Sequence, residues 1–566
     1  MLNCISVGGI HLASAQINNQ METILTRIRR IHRFGIRWLA ILLALGAVIE
    51  GPLAWAGTTN DISTNGATAV PAAHCGAGST PETALQGQVP LADRQSGRNQ
   101  QGYTCNLSLV GQYRGEGASW VNSSTGTCAY MATSWYGIPK KTREGVQVID
   151  VSDPAHPTFS TNLTTNAMYT GTWESLKVND QGTMLAGAGV GPGVGVGMFD
   201  LYDVRNCAHP RLLNRMLLSS NTPPLANAAH EGGWSPDGRT YWTTGFVPGS
   251  MTAIDVSNPS APKTIYLNGS TLLTNHGFSF SPDGNRMYLT SALPAGIAIV
   301  DVSDIQNRRP LPVARQVSAI YWTDGSVTQK TIPVTYGGRH YLIVTDELDN
   351  GGVRFIDITN EQQPQIVSHL RLAIQLPQNH AAAVADSKGN GLFQYDTHYC
   401  SVDRVANPTA LACGYFQSGV RVFNIVDPMH PQEIAYYNPP ALPGERNALP
   451  GSEHAMLPVQ DPLLNGELPD PVKLLAGLAT DARANLSTDW CSSPPRFVNG
   501  QLWVTCQDNG FMVLKFNNGV YPIGTQSSSA ATLPATVQGT MASNAGGRAT
   551  DWLLSVVSTV RTAIFG

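Results

Sequence analysis

Three histidines stand at matching places in a chain that repeats itself. His230-Glu231-Gly232-Gly233-Trp234, His276-Gly277-Phe278-Ser279-Phe280 and His380-Ala381-Ala382-Ala383-Val384 each open a run that reads as a β-strand. His230 and His276 both lie seven positions before the Asp of a Pro-Asp-Gly turn, Asp237 and Asp283. Glu174 holds the comparable place one unit earlier. Asp346-Glu347, His398 and Ser452-Glu453-His454-Ala455 are further candidates, the last because it is similar to the His380 segment. Imidazoles joined by carboxylates make a transition-metal site, since neutral imidazole suits copper, zinc, iron and nickel. Such an ion can activate oxygen or polarise a carbonyl or a water. The expected ligands are His230, His276, His380, His398 and His454, with Glu174 and Glu231 as weaker candidates. A histidine at the start of an inner strand can instead hydrogen-bond its neighbours and hold a ring in shape, and repeat copying alone would multiply it.

The repeats decide whether these groups can meet. A β-branched strand running into Asp and a Ser/Asn/Pro turn recurs at Val146–Pro154, Tyr202–Val204, Ile254–Pro259, Val300–Asp304 and Ile356–Asn360, with weaker copies at Phe423–Pro428 and Leu514–Asn518. A period of roughly 45–55 residues means one supersecondary unit copied around an axis. Ser235-Pro236-Asp237-Gly238, Ser281-Pro282-Asp283-Gly284, Asn179-Asp180-Gln181-Gly182 and Tyr336-Gly337-Gly338 supply the hairpin turns. Four antiparallel strands per unit, arranged radially, make a β-propeller. Seven third strands imply seven blades; six or eight also fit, because units five to seven are irregular. The last unit lacks a fourth strand, which Asn106–Tyr113 can supply, closing the ring and removing its open edge. Starts of first strands and loops between second and third strands share one face. Asp346-Glu347 is read between strands two and three of the fourth unit, and His398 after the second strand of the fifth. All these groups should therefore converge at one mouth of the channel. The Asp of the repeated phrase (Asp150, Asp255, Asp301, Asp357) is expected to be structural, accepting from the backbone of its own turn.

The phrases Ile149–Pro154, Ile254–Pro259 and Ile299–Asp304 resemble those of the LVIVD-repeat proteins, exported propellers of bacteria and archaea. That resemblance covers most of residues 103–522 and implies fold more than function, because one fold hosts many roles. A looser similarity is to the selenium-binding protein/methanethiol oxidase family, propellers with histidine-bound copper. No motif here matches that family's ligands one by one. Among the possible ions copper is the one favoured.

Composition agrees with an all-β, turn-rich chain: of 566 residues, 56 are Gly and 37 Pro, and 13% are charged. A net charge of -4 gives no basic footprint for nucleic acid. Arginines from Arg27 to Arg37, the apolar run Trp38–Ile49 and Ala54-Trp55-Ala56 read as a signal peptide over residues 1–56. Residues 57–102 read as a flexible leader, 103–522 as the propeller with insertions at 396–415 and 438–488, 523–548 as a low-complexity linker, and 549–566 as a short amphipathic helix. Residues 552–565 could touch a membrane surface. Past the signal peptide eight cysteines remain, an even number that suggests disulfides in an exported protein. Spacing favours Cys400–Cys413 and Cys491–Cys506. No Gly-x-Ser-x-Gly elbow is present, and the Gly-rich run 187–197 opens no helix, so neither that hydrolase type nor a dinucleotide fold is indicated. Two functions follow as expectations. One is a binding scaffold of the periplasm or cell surface that takes a protein or small-molecule ligand on the face bearing the insertions. The other is a metal-dependent oxidase, with copper the favoured ion.

Overall fold

The computed structural model describes residues 58–59, 68–133, 142–189, 198–214, 229–245, 250–269, 275–388, 390, 393–443, 449–456 and 487–524. The expected signal peptide, the tail helix, all but the first two residues of the linker, and residues 444–448 and 457–486 of the larger insertion lie outside them.

Seven sheets follow one another, each built on four antiparallel strands that run in sequential order from the inside out in the first six; Thr58–Thr59 adds in parallel to the outer strand of the fourth and Tyr103–Cys105 antiparallel to that of the sixth. Blade 1 runs from Asn122–Thr125 to Thr158–Leu163, blade 2 from Lys177–Val178 to Arg211–Leu212, and blade 3 from Glu231–Trp234 to Lys263–Gly269. Blade 4 runs from Asn275–Phe280 to Arg315–Tyr321 and blade 5 from Ser326–Tyr336 to Gln365–Leu370. Blade 6 runs from Thr397–Val402 to Gln432–Asn438. Blade 7 takes three strands from the end of the propeller, Arg496–Val498, Gln501–Cys506 and Gly510–Phe516, and its fourth from the start, Leu107–Tyr113. Register runs from Leu107 opposite Phe516 to Tyr113 opposite Phe511. The chain is thus a seven-bladed β-propeller, closed by its early strand as its repeats predict.

The repeated Asp does local work in every copy. Its Oδ1 accepts the N–H two residues on: Ser152 at 2.9 Å from Asp150, Ser257 at 2.9 Å from Asp255, Ser303 at 2.9 Å from Asp301 and Thr359 at 2.8 Å from Asp357. One residue before it, the ladder between third and fourth strands shifts register, as at Ala253/Ile254, Ile299/Val300 and Phe355/Ile356. A bulge at that point adds twist to the outer strand. Apolar side chains such as Trp242, Met251, Phe278 and Leu289 fill the space between neighbouring blades.

Two expectations need correction. Residues 396–415 are not a loop insertion: they hold the first two strands of blade 6, Thr397–Val402 and Ala410–Tyr415, with Cys400 directly opposite Cys413. Residues 68–102 are not a loose leader but an ordered strap over blades 5 and 6. Val70 donates to the Arg371 carbonyl at 3.0 Å, Glu82 pairs with the buried Arg421, and Gln88 reaches Asp386 at 2.7 Å. Polar composition suggested disorder, but the strap's polar groups are matched one by one by blade side chains. Four disulfides form: Cys400–Cys413 and Cys491–Cys506 as spacing suggested, with Cys75–Cys105 fastening the strap and Cys128–Cys207 joining blades 1 and 2.

Candidate metal centre

Innermost strands from neighbouring blades approach closely where they start, and five blades deliver a polar side chain there. Glu174 lies just before the first strand of blade 2, His230 just before that of blade 3, and His276 within that of blade 4. Gln329 comes from the first strand of blade 5, Glu347 from its second strand (Arg339–Leu348), and His398 from the first strand of blade 6. His398 is therefore not beyond a second strand of the fifth unit, and Glu347 belongs to the fifth blade, not the fourth. His276 and His398 present Nε2 to both carboxylates, and His230 presents Nε2 to Glu174. His230 Nε2 is 3.2 Å and His276 Nε2 3.7 Å from Glu174 Oε2. His398 Nε2 is 2.9 Å from Glu174 Oε1 and 3.2 Å from Glu347 Oε1, while His276 Nε2 is 3.4 Å from Glu347 Oε2. Glu174–His230–His276 and Glu174–Glu347–His398 form two overlapping trios, the potential ligand atoms of each lying within 4.8 Å of one another.

His398 is oriented from behind. The Ser492 carbonyl, 2.7 Å from its Nδ1, can only accept, so Nδ1 carries the hydrogen. Its Nε2 then aims either a second proton or a lone pair at the carboxylates, the arrangement found behind metal-ligating histidines. Trp120, Phe416 and Tyr399 surround the ring at centroid distances of 5.5, 5.0 and 4.6 Å. These walls exclude water and strengthen the local field. His230 is the least enclosed member, with 20% of its side chain exposed, and it marks the open side.

The two carboxylates call for positive charge beside them. Glu174 and Glu347 are buried, and among the described residues no Lys or Arg pairs with either. Burial works to raise the Glu174 carboxyl, but His230 and His276 outweigh it and hold it well below the usual range. Burial likewise opposes ionisation of Glu347, yet His398 and His276 bring it to about 2. Burial disfavours a charged His398, and Glu347 with Glu174 overcomes this to lift it to about 10. Protons can supply the positive charge in this way; so can a divalent ion, by displacing them. Gln329 Nε2 donates to Glu174 Oε1 at 3.0 Å and lies 2.8 Å from His398 Nε2, steadying both.

One residue further along three of the same strands lies a second polar layer. Glu231 Oε1 meets Lys330 Nζ at 2.8 Å and Lys177 Nζ at 3.3 Å, and its Oε2 accepts from the Tyr399 hydroxyl. Glu231, a candidate ligand by sequence, is thereby committed to two lysines and a tyrosine instead of the histidine cluster.

Two other sequence candidates fall outside the centre. His380 is exposed at the start of a helix, His380–Ser387, because Ala381-Ala382-Ala383 favours helix and the chain detours before entering blade 6. His454 is buried elsewhere, its Nδ1 2.5 Å from Asp508 Oδ2 and its ring 4.7 Å from that of Trp490. Asp489 completes a trio there that is close enough to hold an ion. Its carboxylate, however, already accepts from the backbone of Trp490, Asp508 and Asn509 at 2.8–2.9 Å, so this trio braces the insertion against blade 7. Sequence reading missed Gln329, Lys177, Lys330 and Tyr399. Counting seven back from the turn residue Tyr336 lands on Gln329, so the spacing that flagged His230 and His276 also reaches it. Three imidazoles with two carboxylates and no sulfur ligand do not single out copper.

The LVIVD repeat model matches residues 142–165 and 245–266, the third-to-fourth strand phrases of blades 1 and 3. No curated protein matches the chain. Among solved structures, the periplasmic gluconolactonase of Pseudomonas aeruginosa aligns at 15% identity and TM-score 0.41, covering 55% of this chain and 83% of that one. A protein of Bacteroides uniformis provisionally designated a 6-phosphogluconolactonase aligns at 12% identity and TM-score 0.41, covering 56% and 84%. A Lactobacillus plantarum protein aligns at 13% identity and TM-score 0.38, covering 54% and 81%.

Proposed function

We propose that this LVIVD-repeat β-propeller is an exported metal-dependent enzyme, with one divalent first-row ion held at the channel mouth by His230, His276 and His398 together with Glu174 and Glu347. The observation that carries this reading is the convergence of three Nε2 atoms on two buried carboxylates that have no Lys or Arg partner among the described residues. Mixed imidazole and carboxylate donors suit iron, manganese, zinc, cobalt or nickel as well as copper. When bound, the ion supplies Lewis acidity or redox chemistry to a molecule that enters past His230. The chain's own residues set the stage: Ser492 fixes the His398 tautomer, Gln329 steadies Glu174, and Trp120 and Phe416 keep water from the rear. Four disulfides support work outside the cytoplasm.

Elemental analysis of the mature protein, purified after export, tests the proposal. About one equivalent of metal is expected, lost in the His230→Ala/His276→Ala variant while the fold persists by circular dichroism. Metal-free protein that also fails to take up iron, manganese, zinc or copper would overturn it. A binding scaffold is the second reading, favoured by the position of the 438–488 insertion, whose Glu453 takes a hydrogen bond from Ser119 of the same mouth at 2.6 Å. It predicts that the histidine variant keeps full binding to any partner recovered.

A further inference from the structure

Away from the channel, a cavity of about 300 Å³ opens at the outer rim between blades 6 and 7. Its walls are the closing strand of blade 7, the chain leaving blade 6, the strap and the turn at Asn509. Leu109, Leu442 and Pro443 give it an apolar side; Gln100 and Gln112 give it amides. Arg114 is the one charged side chain in the lining, and no acidic residue accompanies it. Its Nε is shut off from solvent and has no hydrogen-bond partner among the described residues. The nearest carboxylate in sequence, Glu116, is already engaged by the N–H groups of Thr142 at 2.8 Å and Arg143 at 2.9 Å. A guanidinium fork matches a carboxylate in two-point geometry. Volumes of this size are at the small end of ligand sites.

We propose that this cavity is a binding site for a small organic carboxylate, its anionic group on Arg114 and its short apolar body against Leu109, Leu442 and Pro443. The site is independent of the metal centre. Titration calorimetry of the full mature protein with hexanoate and benzoate tests it, with hexanol and inorganic phosphate as comparison probes. Expected are dissociation constants of roughly millimolar or tighter for the carboxylates, weakened about tenfold or more by Arg114→Gln and by the cavity-filling Leu442→Trp, with hexanol not binding. Both variants should melt cooperatively near the native temperature; Leu442→Trp keeps the test meaningful if Arg114→Gln does not. Two results would overturn the proposal: no heat with either carboxylate, or phosphate binding more tightly than both.

Discussion

Individual side chains at the channel mouth carry opposite burdens. His398 is suited to act as a ligand in the proposed centre because a carbonyl behind it fixes one nitrogen and a pair of carboxylates faces the other. Lys177 illustrates the reverse, a charge held where it is disfavoured: burial, aided by Lys330, brings its ammonium down to about 8. A base with a depressed folded pKa weakens the fold below that value, and the penalty disappears above the unfolded lysine range near ~10.4. Lys177→Met should therefore raise the melting temperature at pH 7 by roughly 1 °C, about 1 kcal/mol of stability in a propeller of this size. Its advantage should shrink between pH 8 and about pH 10. Lys330→Met, which removes the closer partner of Glu231, should lower it. Thermal denaturation at the two pH values decides the matter, and a Lys177→Met protein less stable than native at neutral pH would contradict the argument. Much of this site was readable beforehand. Counting seven residues back from each hairpin turn reaches Glu174, His230, His276 and Gln329, and from Val405 it reaches His398. What hid the second layer is that Lys330 and Tyr399 look like ordinary strand residues until the strands are brought together.

Between elements, the contact that matters is backbone against backbone. A Cβ added at Gly277 would lie 2.1 Å from the Gln329 carbonyl, so the first strands of blades 4 and 5 can touch only because that position is bare. Gly277→Ala should push Gln329 away from Glu174 and His398 without replacing any proposed ligand. Overpacking of this kind costs about 1–3 kcal/mol, and bound metal, measured by elemental analysis, should fall with it. Native metal content and stability in this variant would mean that the strands have slack. Two elements around blade 6 were misjudged from sequence. The His380 segment looks like an inner strand by its first residue, yet three alanines turn it into helix. The first hairpin of blade 6 looks like a loop because Cys400 and Cys413 interrupt its apolar pattern, although a cross-strand pair is where such cysteines meet.

At the scale of the molecule, stability rests on a join between residues far apart in sequence. Leu107–Tyr113 completes blade 7, so a chain beginning at Arg114 would expose Gly510–Phe516 as an unpaired edge. Such a truncation should aggregate or lose its cooperative melting transition, as monitored by calorimetry; a soluble protein with native melting would show that the closure is dispensable. The repeat phrases made this join legible because they left the last unit one strand short. They said nothing of the strap, whose order comes from Glu82, Gln88 and Arg94 finding partners more than 200 residues away. Finally, Glu231, Lys177, Lys330 and Tyr399 form a salt-linked layer next to the histidines. Under the proposed function that layer would seal the far side, so substrate and product would share one door and product would inhibit as a direct rival of the substrate.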